Sequence, residues 1–245
     1  MLSQEELSRY HSQLLIKGFG TDAQERLKKS RVVVFGAGGL GCVVSVYLAA
    51  AGVGNLRLVD HDTVEPGNLN RQVLYNSGDI GRKKAEIARH RLQTLNPDIR
   101  IEPVIEKVTN KNVVRFTEGS DIIVDALDNL TSRYILNQTA VKQGVPLVHG
   151  AVSGFEGRVM TVLPRKSACL MCLLKGADIH VRTPVIGVTP AVIGAIQATE
   201  VIKYITGLGT LLAGCLLVYD GLSMTFSRIN ITRNPGCSHC GDRSG

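Results

Sequence analysis

Tryptophan is missing from this 245-residue chain, and aromatic residues make up only 4% of it. The aromatic platforms on which bases stack, interleaved with Lys and Arg, are therefore missing too. The excess of 28 Lys and Arg over 21 Asp and Glu, a net charge of +7, reads as an anion-binding enzyme or a basic surface, with no nucleic-acid partner expected. No Pro- or Ser-rich linker, internal repeat or low-complexity tract divides the chain, so a disordered or collagenous protein is excluded and a single domain over 1–245 is expected. The N-terminal MLSQEELSRYHSQ carries charges where a signal peptide needs an apolar core, so the expected location is cytoplasmic. Only one stretch is long and uncharged, the 25 residues from Val32 to Leu56. Gly36, Gly38, Gly39 and Gly41 break it early and Gly52 and Gly54 late, so it reads as strand, turn, helix and loop, with no membrane span.

What is present is a core-forming composition, 44% hydrophobic, in which strands and helices alternate. Buried-strand runs stand at Arg31 to Phe35, Leu56 to Asp60, Ile99 to Val104, Asp121 to Asp125 and Pro146 to Val148. Helical spacing appears at Leu40 to Ala51, Lys83 to Leu95, near Asn110 to Phe116 and at Leu130 to Gln143. The alternation predicts an α/β fold, a Rossmann-like doubly wound, mostly parallel sheet over about 30–150. From about 151 to 245 the pattern changes. Strands at Phe155 to Leu163 and within Leu216 to Ile231 flank an apolar helix from about Ala191 to Ile205, which predicts antiparallel C-terminal strands on one sheet edge.

GAGGLG, Gly36 to Gly41, follows a predicted strand and opens a predicted helix. There glycine permits a tight turn and lets helix N-terminal N–H groups approach a phosphate. Asp60 ends the next strand, placed to accept hydrogen bonds from ribose hydroxyls. These features alone indicate a nucleotide or dinucleotide, or a turn required only for packing. Asp62, Asn68, Arg71 and Gln72 follow within VDHDTVEPGNLNRQ, and Lys84 lies in DIGRKKAE. Hydride transfer has no general need of such cations. Attack by a carboxylate on the α-phosphorus of ATP has one, because an anion must approach a polyanion and pyrophosphate must leave. Asp128 and Asn129, in DIIVDALDN, are candidates to hold Mg²⁺ at the carboxyl edge of the sheet, with Asp125 as a strand-end anchor. Asp62 and Gln72 read equally well as turn caps, and Arg82 and Lys83 as solvent-facing helix charges.

Six cysteines are too few for a disulfide scaffold in a chain this long. Cys169 with Cys172 and Cys237 with Cys240 form two CxxC knuckles, which together suit one closed, structural Cys₄ Zn²⁺ site. His239 reads as a spacer in the second knuckle, and Cys42 and Cys215 as core residues.

The ordered set GxGGLG, LVDxDxVExxNLxRQ, GxxKAExA and DALDNLTSRYILN, running from RYHSQ at Arg9 to CSHCG near the C-terminus, resembles the ThiF/MoeB/HesA family of the ubiquitin-activating enzyme superfamily. The resemblance implies an adenylyltransferase using ATP and Mg²⁺, usually a homodimer. Its implied partner is a ubiquitin-like sulfur carrier protein with a C-terminal Gly-Gly, serving molybdopterin or thiamine synthesis. It implies ATP contacts from Gly39 and Gly41, ribose contacts from Asp60 and phosphate contacts from Asn68, Arg71 and Lys84. Mg²⁺ falls to Asp128 with Asn129 beside it, and Arg71, Lys84 and Asp128 carry catalysis. Two features depart from the family. Ser12 stands where R-Y-x-R-Q has its second Arg, which leaves Arg9, Lys17 or Arg26 to reach a partner's ATP. The segment from Leu173 to Thr189 contains His180 but no cysteine, so no thioester step is expected there. That shorter segment motivates an alternative acyl substrate, a small carboxylic acid such as a cofactor precursor. A nicotinamide-dependent dehydrogenase would leave Arg71, Lys84 and Asp128 without work, and a nucleotide sensor would bind ATP without exchange.

Overall fold

A computed structural model describes residues 1–174 and 184–241. His180 and the middle of the cysteine-free segment lie outside the described residues. Five parallel strands, β1 (Arg31–Phe35), β2 (Asn55–Val59), β3 (Arg100–Val104), β4 (Ile122–Asp125) and β5 (Leu147–Ser153), form one half of a single sheet. Three antiparallel strands, β6 (Glu156–Val162), β7 (Cys215–Asp220) and β8 (Thr225–Asn230), extend it beyond β5. The spatial order is β3-β2-β1-β4-β5-β6-β7-β8, so the chain reverses direction of winding between β1 and β4.

Alternation within each strand explains why both faces are covered. Val32, Val34, Leu56, Leu58, Ile122 and Val124 face one apolar core, packed with α3 (Gly20–Lys29), α4 (Gly39–Ala51), α5 (Lys84–Leu95) and α9 (Val188–Thr206). Val33, Phe35, Val59 and Ile123 face the other, with α6 (Val113–Thr117), α7 (Leu130–Gln143) and α8 (Leu170–Leu173). Two short helices, α1 (Gln4–Arg9) and α2 (His11–Leu14), precede α3. The sequence patterns above do not predict them, although Ser3 and Glu6 form a capping box at the start of α1.

Three boundaries differ from expectation by more than one residue. Predicted as a short run ending at Val148, β5 continues to Ser153, because its last residues pair antiparallel with β6, Gly150 opposite Val159 and Ser153 opposite Glu156. The apolar helix begins at Val188 rather than Ala191, with Pro190 in its first turn, where a missing N–H costs nothing. The helix near Asn110 is confined to Val113–Thr117, with Asn112 at its N-cap position.

Candidate active site

The carboxyl ends of β1, β2 and β4 meet at the switch point, and the residues that follow them line one face. After β1, Gly36 adopts φ +95° and Gly41 returns so close that a Cβ on it would lie 1.8 Å from the Gly36 carbonyl oxygen. Only glycine fits at 41, and the turn aims the uncapped start of α4 toward the site. The turn is braced from behind. Asp60 Oδ2 accepts from Ala37 N at 2.7 Å, and the buried Tyr75 hydroxyl donates to Ala37 O at 2.7 Å. Burial pushes the Tyr75 hydroxyl up, so it stays a proton donor, and pushes the Cys42 thiol up to about 12, an inert core group. Cys215 is only partly buried but packs on the same core.

Arg71 is brought against this turn. A Cβ on Gly39 would meet Arg71 Cγ at 3.6 Å and Pro190 of α9 at 3.2 Å. Among the described residues the guanidinium is held by local oxygens, Gly67 O and Asn70 Oδ1, each at 2.8 Å. Buried Asn68 builds the turn beneath it, because its carbonyl accepts from Arg71 N and Gln72 N at 3.1 and 3.0 Å. Gln72 is buried beside Gly38, with its Oε1 unpartnered. Lys84 is also buried, and its ammonium sits 3.3 Å from the half-exposed Asp62 carboxylate. A buried ammonium needs an anion, which Asp62 supplies and a phosphate could replace. Arg82 and Lys83, both expected to face solvent, differ here: Arg82 is exposed, whereas Lys83 is half-buried and donates to His61 O at 2.9 Å.

Asp128 and Asn129 leave β4 on the same edge, both exposed. Asn129 caps α7 through Ser132 N at 2.9 Å, and its amide reaches Asp128 Oδ1 at 3.4 Å. Asp128 makes no ion pair among the described residues, so its oxygens are available, which suits Mg²⁺ held by one carboxylate and phosphates. Asp60, His61 and Asp62 also cluster, but Asp60 is engaged by Ala37 N and Asp62 N, and Asp62 by Lys84.

Beneath the site lies a polar layer that sequence patterns did not reveal. Asp125, fully buried, accepts from His149 at 2.7 Å and faces Arg133 Nε at 3.8 Å. Gln197 of α9 donates to Asp125 O at 2.9 Å, over Gly150, where a Cβ would collide with it. The strand-end role expected of Asp125 is what the structure shows. Burial lowers the His149 pKa and Arg133 adds to that, although the Asp125 bond opposes both. A histidine that is harder to protonate when folded contributes stability above its unfolded pKa near 6.5, and loses it as pH falls below that value. Melting followed between pH 7.5 and 5 is therefore expected to show an acid slope of at most about 1.4 kcal/mol per pH unit from this group. In His149→Gln that part of the slope should vanish; an unchanged slope would contradict the assignment.

The four knuckle cysteines converge on the far side of α7, all sulfurs within 4.8 Å of one another. Cys169 to Cys237 is 3.7 Å and Cys172 to Cys240 is 3.4 Å. A disulfide needs about 2.05 Å, whereas a ZnS₄ tetrahedron with bonds of about 2.3 Å has edges near 3.8 Å. The sulfur set therefore fits zinc. Burial pushes the Cys169 and Cys240 thiols up; at Cys237 burial is outweighed by the backbone N–H groups of Cys240 and His239, and its thiol falls to about 7. A dication would offset the mutual repulsion of four thiolates. His239 turns away to Asn137 at 2.7 Å, consistent with a spacer.

Arg9 and Arg26 are both tied within the chain, Arg9 to Asp98 at 3.3 Å and Arg26 to Thr206 O at 2.7 Å. No described helix is long and apolar enough to cross a membrane.

The profile of the ThiF family matches residues 10–239. A sulfur carrier protein adenylyltransferase of Thermus thermophilus is 43% identical, the alignment covering 98% of this chain and 93% of that one. The molybdopterin-synthase adenylyltransferase of Escherichia coli is 40% identical, covering 98% of each. Among solved structures, Escherichia coli MccB with ATP superposes with a TM-score of 0.85 at 26% identity, over 95% of this chain and 74% of that one.

Proposed function

The chain belongs to the ThiF family and is an adenylyltransferase, and from that premise we propose that it activates the C-terminal glycine carboxylate of a ubiquitin-like sulfur carrier protein. The observation that carries this reading is the convergence of the glycine turn, Arg71, Lys84 and Asp128 on one sheet edge. A carboxylate oxygen of the carrier attacks the α-phosphorus of ATP, the bond to the bridging oxygen of the β-phosphate breaks, and pyrophosphate leaves with the electron pair. Gly41 closes the turn against Gly36, Gly39 lets the nucleotide approach the start of α4, and Asp60 takes the ribose hydroxyls. Asn68 shapes the turn that presents Arg71. Arg71 and Lys84 neutralise the phosphates, so the anionic nucleophile meets a smaller electrostatic barrier. Asp128, with Asn129 beside it, would hold Mg²⁺, which would supply charge neutralisation at the phosphates. Cys169, Cys172, Cys237 and Cys240 hold a structural Zn²⁺.

One further feature supports a protein acyl substrate over a small acid. Leu222, Met224, Phe226 and Ile229 are 77%, 71%, 52% and 49% exposed on the β8 side of the sheet, an apolar rim that a small acid would not use. The family premise also carries the homodimer, in a reducing, cytoplasmic setting where thiolates stay available to zinc. Ser12 brings no charge and Arg9 and Arg26 are engaged in their own chain, which leaves the exposed Lys17 as the candidate to reach a partner's ATP beside the Arg71 and Lys84 of one subunit. Function is read over 1–245 as one adenylation domain, with no onward thioester step by this chain.

Incubating chain, ATP, Mg²⁺ and a Gly-Gly carrier should yield a carrier whose mass has risen by one AMP at the C-terminal carboxylate. A carrier lacking the last glycine should remain unmodified; equal labelling of both would remove the assigned acceptor.

A further inference from the structure

The loop that presents Asp128 is held from below by a side chain of α7. Arg133, in the second turn of α7, folds back under the loop and donates through Nη2 to the carbonyls of Leu127 and, at 3.2 Å, Gly150. Its Nε faces Asp125 Oδ2 at 3.8 Å and is buried without a hydrogen-bond partner, and the side chain is only 12% exposed. The loop is pinned on either side as well, by Leu127 N on Asp125 Oδ1 at 3.1 Å and by the Asn129 cap on Ser132 N. Asp128 is exposed between these anchors. A guanidinium spans two carbonyls and a carboxylate at once, and it cancels the buried charge of Asp125 next to the place where a polyphosphate must sit.

We infer that Arg133 is a positioning residue, which fixes the β4–α7 loop so that Asp128 meets the divalent cation. The inference rests on reading Asp128 as the Mg²⁺ ligand. A merely structural Arg133 would affect nucleotide binding alike with and without metal. A positioning Arg133 would affect only the gain in ATP affinity that Mg²⁺ brings.

The test is calorimetric titration of the full chain with ATP, without acyl substrate, in Mg²⁺ and in EDTA, for the wild type, Arg133→Lys, Arg133→Gln and Asp128→Asn. The ratio of the two dissociation constants is the readout. In Arg133→Lys the ratio should fall about tenfold, the effect expected for a group that orients a metal ligand. Affinity in EDTA should stay within about twofold of wild type. Asp128→Asn should lose the Mg²⁺ gain altogether. A wild-type ratio in Arg133→Lys, with the gain lost in Asp128→Asn, overturns the positioning role and leaves Asp128 standing. A wild-type ratio in Asp128→Asn overturns the reading of Asp128 itself. Equal weakening by Arg133→Lys in both buffers, or failure of both Arg133 variants to melt cooperatively, assigns Arg133 to stability and overturns the inference.

Discussion

Replacing Arg71 with alanine is expected to reduce ATP–pyrophosphate exchange by about 10²–10³-fold, the loss typical of removing one preorganised charge-stabilising donor. The fold should survive, because among the described residues the guanidinium donates to Gly67 O and Asn70 Oδ1 on its own loop, and melting should stay within a few degrees of wild type. Arg71→Lys keeps the charge but loses the planar fork, so an intermediate rate is expected. Wild-type exchange in Arg71→Ala would remove Arg71 from the phosphate site, and with it the most direct structural support for attack on a polyphosphate.

Loss of zinc should have the largest effect on stability. Cys240→Ser removes one sulfur from a set that joins the C-terminal tail to α8, where the tail is also held by Arg233 on Cys240 O, by Asn137 bridging Leu170 N and His239, and by the Tyr134–His239 ring contact. A cost of about 4 kcal/mol or more is expected for a lost structural metal, which at this chain length lowers the melting temperature by about 8–16 °C. Protein purified without chelators should contain one zinc per chain and the variant none. Zinc-free wild type melting at the same temperature as untreated protein would contradict the site. The damage should also reach the nucleotide, because α7 carries Asn137, midway along it, against the cysteine cluster and begins at the Asn129 cap beside Asp128.

Most of the parallel half was legible because its information is local. Strand runs such as RVVVF and IIVD are buried on both faces and so read as continuous apolar segments, and α4 and α7 start and stop at glycine, asparagine and positive-φ caps visible in the sequence. The antiparallel extension was legible as strands but not in extent, because Gly150 to Ser153 become strand only through pairing with β6. The proposed site residues come from motif order, and the glycine turn, Asp60, Arg71, Lys84 and Asp128 follow the carboxyl ends of the strands that meet at the switch point. The layer beneath was not legible, because Asp125, Arg133, His149 and Gln197 come from four elements and meet only after folding. Arg133 lies inside the DALDNLTSRYILN motif, and its spacing from Asn129 and Asn137, one helical face, is the pattern that could have singled it out.

The central claim is that this chain couples ATP to the C-terminal carboxylate of a carrier protein. Isotope exchange between pyrophosphate and ATP tests it most directly, with the chain alone, with a panel of small carboxylic acids, and with a ubiquitin-like carrier ending in Gly-Gly. Exchange that appears only with the carrier, and disappears when its last glycine is deleted, is the predicted result. Exchange supported by a small acid without the carrier, or no exchange with any acceptor although ATP binds, would contradict it.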